Sequence, residues 1–505
     1  MLILELSLPA TAVARLWRHA AISETKRARA VAEQWHWLDS AEGVLAEAGL
    51  ALRALASPAG ARMLHPLRPE PGSLPGAPPP PPRLLEGEAA PAEAGQAALH
   101  PVARYAGKRI EARHAQVLLT LEQGSLQAGA AEQGWCLLRL QGAAPPVLEL
   151  AQSLAVGLPL LPATAGLDEV ALALAAGRPV TPRHKGAPDV GGATTVPEAL
   201  SIAIGHLAGV LLAQAPQARP EAGPEAVHQL RVAARRLRSC LKVFRKVVDN
   251  ELLRALDGGL RDAARALGAA REWDVFLGGL GRELTAALGG EEKRWQKLLD
   301  RAAERRLAAY ASVGAMLAGP EFRATLWLAL HAAARPELLS PPAAPEPAPD
   351  AEGGAESAAR PDSRPLLSLR DQARAVLGKR RRKLLRGGAE IAALSDADLH
   401  ALRLEAKRLR YAAELFAPLW PGKATKRFLK RLSALQEALG LSNDTVTARA
   451  LMATLARAED ASGAAPPWAI GLAEGWALAA SRGMRSEALI AWKGFSKLDP
   501  FWEHG

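Results

Sequence analysis

One seventeen-residue pattern occurs twice in this chain. HQLRVAARRLRSCLKVF begins at His228 and HALRLEAKRLRYAAELF begins at His400, 172 residues downstream. Aligned without a gap, His, Leu, Arg, Ala, Arg, Leu, Arg and Phe recur at the same places, and Arg235 falls opposite Lys407 as a like-charge replacement. A repeated unit that cannot bury its own apolar face must pack it on its neighbours. The repeat therefore demands a helical domain with two related halves.

At 3.6 residues per turn, His228, Arg231, Arg235, Arg238 and Lys242 advance by three or four and fall on one stripe. Leu230, Ala234, Leu237, Leu241 and Phe244 form a second, apolar stripe suited to burial. The second copy repeats both: His400, Arg403, Lys407 and Arg410 on one, Leu402, Ala406, Leu409, Ala413 and Phe416 on the other. Arg236 and Arg408 flank the cationic stripes. Neighbouring like charges on a helix repel by a few tenths of a kcal/mol per pair. A solvated face relieves this with interleaved glutamates, but the first copy carries no carboxylate on or beside its stripe. The pattern points instead to an anionic ligand. Arginine suits phosphate because its planar fork meets phosphoryl oxygens and stays charged; a histidine beside a polyanion gains a proton more readily.

Charge distribution agrees. The net charge is +11, yet the first 165 residues hold fourteen basic and fourteen acidic side chains, so all of the excess lies downstream. An excess confined to one region implies a polyanionic partner of that region. Arg254, Arg261 and Arg265 follow the first copy, and Lys423, Lys426, Arg427 and Lys430 follow the second. GKRRRKLLRGG, with Arg382 and Lys383 at its centre, precedes the second.

At 505 residues the chain should form two or three domains. Two segments have linker composition, Pro66 to Pro101 and Pro336 to Arg364, and both are expected to be disordered. They delimit an N-terminal region over 1–165, a helical region over 196–335 and a second over 366–505. The N-terminal region reads as α+β: MLILELSLP, AGLALRAL and HAQVLLTLEQG are candidate strands and ATAVARLWRHA a candidate helix. No signal peptide is expected, because the first apolar run lacks a basic flank. Apolar stretches such as SIAIGHLAGVLLAQA fall short of the roughly 20 residues that span a bilayer, and no membrane insertion is expected. Cys136 and Cys240 fit no metal-ligand spacing, which suits a reducing cytoplasm.

Both histidine helices, with ALGAAREWDVFL after the first and ALGLSNDTVTA after the second, resemble the conserved-histidine α-helical domain, CHAD, over about 196–505. The first of these segments looks like the family's LG-x-x-RD-x-DV, with Glu272 in place of Asp. The resemblance implies two pseudo-symmetric helical bundles around a basic cavity that binds inorganic polyphosphate, often at polyphosphate granules. By position it assigns binding to His228, Arg231, Arg235, Arg238, His400, Arg403, Lys407 and Arg410. Arg236, Lys242, Arg408, Arg261, Arg265, Arg382, Lys383, Lys426 and Lys430 join them as further cations of the same groove.

The N-terminal region resembles the CYTH, or triphosphate tunnel, family, whose active members hold divalent metal on carboxylates at alternating strand positions. Here Met1, Ile3 and Glu5 stand where Glu-x-Glu-x-Lys is expected, WCLLRLQG carries no carboxylate, and Leu55 replaces a second arginine after Arg53. The resemblance therefore implies a tunnel-like β domain without activity, kept for architecture, dimerisation or partner contact. No catalytic residue, metal or cofactor is expected. The alternatives are a residual metal-dependent triphosphatase using Glu122 and Arg53, and nucleic-acid binding. Nucleic acid is disfavoured because the repeated helices offer only Phe244, Tyr411 and Phe416 as stacking platforms.

Overall fold

The computed structural model describes residues 1–55, 61–85, 90–340, 368–457, 465–481 and 484–503, without the side chains of 396, 441–446, 480–481 and 484. It divides into two compact units. One comprises Met1–Gly186, Ala208–Ala213 and Leu326–Ala334, and the other Ala187–Leu207, Gln214–Thr325 and Arg335–Gly505.

The first unit is built on a nine-stranded antiparallel sheet. β1 (Leu2–Ser7), β2 (Val31–Asp39), β3 (Leu50–Leu55), β4 (Arg62–Pro66), β5 (Arg83–Leu85), β6 (His100–His114), β7 (Val117–Ala128), β8 (Ala131–Gly142) and β9 (Leu161–Pro162) lie in the order β5-β4-β3-β2-β6-β7-β8-β1-β9. Alternation gives the sheet two unlike faces. Leu4 and Leu6 of β1 pair with Leu140 and Leu138 of β8, which pair with Leu119 and Leu121 of β7. All six are buried in one core. Between the short α1 (Val13–Leu16) and α2 (Val44–Glu47) and the later α4 (Leu167–Ala175) lies α3 (Ala144–Gly157). It adds Val147, Leu148, Ala151 and Leu154 to that core. Each buried leucine contributes about 2 kcal/mol, so the alternation suffices to set the strand register.

The opposite face combines buried ion pairs with a second apolar cluster. Glu5 stands opposite Arg139, and α4 packs beside Trp37, Tyr105 and Leu126 through Leu167, Val170 and Ala171.

Residues 66–101, expected to be disordered, are ordered wherever described. The Gly76 carbonyl accepts the Glu5 N–H at 2.7 Å, 83–85 form β5, and Arg83 pairs with Glu93 at 2.9 Å. A proline-rich segment lacks donors, but its carbonyls remain available along a sheet edge. Of the second expected linker, 341–364 lies outside the described residues, whereas Pro336–Leu339 is a 3-10 turn with Leu339 buried.

The second unit contains helices throughout. They begin with α5 (Val196–Gln214), α6 (Glu225–Phe244) and α7 (Glu251–Phe276). A π turn over Leu277–Gly281 leads to α8 (Arg282–Ala287), α9 (Lys293–Ala318) and α10 (Pro320–Ala334), whose last part clusters with the sheet unit. Then follow α11 (Leu369–Gly387), α12 (Asp396–Phe416), α13 (Lys423–Ala438), α14 (Leu441–Ala456), α15 (Pro467–Ser481) and α16 (Met484–Ser496). The repeat extends beyond its first helix: α13 begins 172 residues after α7, but a turn at Leu439–Gly440 divides the second copy into α13 and α14. Asn250 and Ser395 cap α7 and α12, accepting the N–H three residues on.

The apolar stripes behave as their spacing predicts. Leu230, Ala234, Leu237, Leu241 and Phe244 are buried, as are Leu402, Ala406, Leu409, Ala413 and Phe416. Phe244 meets Phe416 edge to face, with centroids 5.8 Å apart. The same position of the two copies thus packs against itself.

The apolar stretch expected to be too short for a bilayer belongs to a longer helical run. Val196–Gln217 has 22 residues and contains an 18-residue window of mean hydropathy 1.7, enough to cross a membrane by length and composition alone, and 67% of that window is buried within the protein. Its apolar surface is thus already committed to packing.

Candidate anion-binding site

The cationic stripes of α6 and α12 divide into a neutralised part and an uncompensated part. Arg238 donates to Asp257 of α7 at 2.8 Å. Arg236 donates to Glu414 of α12 at 2.9 Å, and Arg410 donates to the other oxygen of Glu414 at 2.7 Å. Glu405 of α12 pairs with Lys383 at 2.9 Å and with Arg408. The first stripe therefore does have carboxylates beside it. They come from other helices, where spacing along α6 could not reveal them.

Among the described residues no such ion pair holds Arg231 or Arg235, toward the start of α6. Arg231 donates a 3.3 Å bond from Nη1 to the Ala264 carbonyl. The buried Nε of Arg235 has no hydrogen-bond partner. Burial lowers the pKa of the Arg231 guanidinium, and Arg235 and Arg271 lower it further, against opposing effects of Glu272 and Tyr411. His228 is likewise pushed below its ordinary pKa, first by burial and then by Arg271, with Glu225 opposing and Arg235 and Arg231 adding to the shift. His228, Arg231, Arg235 and Arg271 thus lie near enough to act on one another, with Glu225 and Glu272 offsetting part of the repulsion. Tyr411 belongs to α12, so the cluster reaches across to the second copy.

Gly268 of α7 makes room for it. A Cβ at that position would stand 2.7 Å from Arg231 Nη1. Within ALGAAREWDVFL, Gly268, Arg271 and Asp274 each have a physical role. Gly268 admits the Arg231 guanidinium, and Arg271 completes the cluster. Buried Asp274 accepts from Arg306 at 2.7 Å and from the Tyr310 hydroxyl at 2.9 Å, anchoring α7 to α9. Arg271 was missing from the residues chosen by stripe, although the motif contained it. The side chains of 441–446 in ALGLSNDTVTA lie outside the described residues.

The two copies are not equivalent. Arg403 and Lys407, the counterparts of Arg231 and Arg235, are half-buried on α12, but His400 is exposed whereas His228 is half-buried. Lys242, Arg382, Lys426 and Lys430 are exposed, and Arg261 and Arg265 are exposed around Asp262, at 3.8 and 3.3 Å. In α11, Arg381 donates to the Leu498 carbonyl at 2.7 Å and Arg374 to that of Trp502 at 3.0 Å. Part of the basic run there ties the chain's end to the fold.

In the sheet unit, Arg53 donates to Asp168 at 2.7 Å, and Trp37 Nε1 reaches the same oxygen at 2.7 Å. Arg139 lies 2.8 Å from Glu5 and 3.5 Å from Glu122, and Arg109 lies 2.9 Å from Glu33. Burial raises the Glu5 carboxyl pKa, with Arg139 opposing. Arg183 pairs with Glu169. Each of these carboxylates is thus occupied by an arginine, and among the described residues no group of three or more His, Cys, Asp or Glu could hold a metal.

Duplicated basic helices packed about a shared apolar contact define a two-halved basic α-helical domain. Residues 202–453 match the family model of the CHAD domain, and the chain carries a CHAD domain there. Among solved structures, the crystal structure of the CHAD domain from the plant Ricinus communis is 25% identical and covers 63% of this chain and 95% of its own, with a TM-score of 0.48. PptA from Streptomyces chartreusis is 22% identical over 57% of this chain and 98% of its own, with a TM-score of 0.39. HpAC1 from Hippeastrum, described as an adenylyl cyclase with dominant triphosphatase activity, is 15% identical over 35% of this chain and 96% of its own, with a TM-score of 0.26. No curated protein matches the chain.

Proposed function

We propose that this protein binds inorganic polyphosphate, without hydrolysing it, through the basic cluster formed by its repeated helices. One observation carries the reading: half-buried Arg231, admitted by Gly268, and Arg235, whose buried Nε has no hydrogen-bond partner, hold no ion pair among the described residues, while adjacent arginines of the same helices are each given a carboxylate. A fold that neutralises some cations and leaves a half-buried set to repel favours an anion from outside. Guanidinium groups recognise phosphoryl oxygens bidentately, and a duplicated recognition helix suits a ligand that repeats along its length.

Single-stranded nucleic acid fits less well. Phe244 and Phe416 are fully buried against each other, which leaves Tyr411 as the one aromatic of the repeated helices able to stack on a base. Competition among long-chain polyphosphate, RNA and double-stranded DNA at physiological salt tests the reading. Polyphosphate is expected to displace both nucleic acids, and failure to displace RNA refutes it. Salt dependence alone does not discriminate, because every phosphate polymer releases counterions.

The non-catalytic role rests on the arginine–carboxylate pairs of the sheet unit, which leave neither metal ligands nor phosphate-binding cations unengaged in that set. Incubation with tripolyphosphate and magnesium or manganese should release no phosphate, and turnover would restore the triphosphatase alternative. In cells, a fluorescent fusion should follow polyphosphate granules and disperse when polyphosphate synthesis is removed.

A further inference from the structure

Between the aligned copies the sign of the charge reverses at one position. Where the first has Lys242 the second has Glu414, and Glu414 bridges the repeats, accepting from Arg236 at 2.9 Å and from Arg410 at 2.7 Å. Arg236 and Arg408 occupy matched positions, as do Arg238 and Arg410. The carboxylate therefore engages one flanking and one stripe cation, each from a different copy. Its side chain is 15% exposed, and those of Arg236 and Arg410 are 19% and 28% exposed, so the bridge is within reach of a ligand. Arg410 falls seven residues beyond Arg403 on the stripe of α12, about 10.5 Å along the axis and within about 20° around it, so a chain anion that follows that stripe reaches the bridge.

We propose that Glu414 is a built-in counter-ion that occupies two cations of the polyanion site and must be displaced for a long chain to extend beyond the His228–Arg271 cluster. It thereby discriminates by ligand length. A short anion satisfies the uncompensated cluster without disturbing the bridge. A long anion gains Arg236 and Arg410 only by competing with a carboxylate held at fixed distance. The proposal rests on polyphosphate binding at these helices and adds to it a residue that weakens that binding.

The test compares the full-length chain with its Glu414→Gln variant, titrated with long-chain polyphosphate and, separately, tripolyphosphate, at several salt concentrations. Glu414→Gln should bind the long chain at least about tenfold more tightly, because the two charge-assisted contacts of Glu414 no longer have to be broken. Its affinity should fall more steeply with salt, because two more cations exchange counterions with the ligand. Tripolyphosphate affinity should change less than about twofold. Unchanged or weaker long-chain binding by the folded variant, with an unchanged salt slope, overturns the proposal. If the glutamine variant does not fold, Glu414→Asp keeps the charge but is too short to hold both guanidinium groups, and it should show a smaller gain of the same sign. Failure of the wild-type chain to bind either probe refutes the binding reading itself, a separate outcome.

Discussion

Replacing Gly268 with alanine separates stability from binding in a single residue. Gly268 lies buried inside α7, where alanine is favoured over glycine by about 1 kcal/mol. Against that gain stands the new Cβ, 2.7 Å from Arg231 Nη1. The obstructing atom is the end of a flexible side chain, so the guanidinium should swing away and the helix stay in place. The movement forfeits the 3.3 Å bond to the Ala264 carbonyl, worth about 0.5–1 kcal/mol at that length. Net stability should therefore change by less than about 1 kcal/mol, and the melting midpoint by a few degrees at most. Binding should respond differently. A displaced Arg231 loses a charge-assisted contact of about 1.5–3 kcal/mol, a weakening of roughly ten- to a hundredfold. Calorimetric titration with long-chain polyphosphate beside a thermal melt reads both quantities. Wild-type affinity in Gly268→Ala would falsify the placement of Arg231 in the site. Lost affinity with a collapsed melting midpoint would show that the backbone had moved, and the division of effects would be wrong.

Arg235→Gln removes a like charge from the cluster, so it should leave chemical stability equal or slightly raised while weakening polyphosphate binding; a stability loss above about 1 kcal/mol contradicts the repulsion argument. Asp274→Asn breaks a buried pair and should cost about 3 kcal/mol in urea unfolding, whereas a silent change would remove the anchor role from the α7–α9 junction. His228 has a folded pKa below its ordinary value of 6.5. Stability linked to it is therefore present above that value and is lost as pH falls from there through the folded pKa, because the unfolded chain takes up the proton first. A bound polyanion reverses the preference, so affinity should rise between pH 7.5 and 5.5 with proton uptake on binding, detectable by calorimetry in buffers of different ionisation enthalpy. Both effects should vanish in His228→Asn.

The stripes were legible because helical periodicity is local: every apolar residue assigned to burial on α6 and α12 is buried. Charge compensation was not legible, since it depends on tertiary placement. Asp257 is 19 residues from Arg238 in the chain, and Glu414 is 178 from Arg236. Thus Arg236 and Arg238, proposed as ligand cations, are already paired from other helices, whereas the pairing of Arg410 with Glu414, four residues on in α12, is local. The candidate strands MLILELSLP, AGLALRAL and HAQVLLTLEQG, the first only weakly alternating, contain β1, β3 and most of β7. The segment 66–101 was misjudged because composition measures how much apolar surface a chain can bury, and not whether a single carbonyl such as that of Gly76 completes a sheet edge. Arg271 escaped the stripe argument because it approaches the cluster from a different helix.

The edge-to-face contact of Phe244 with Phe416 has a meaning for the history of such a domain. In a two-fold interface a residue meets its own counterpart only on the axis. The pair therefore marks where two identical helices could have associated as separate subunits before being joined in tandem. Identical subunits must accept every substitution twice, once on each side of the axis. A fused chain is released from that constraint, and a position that is lysine in one half can become glutamate in the other without the partner following.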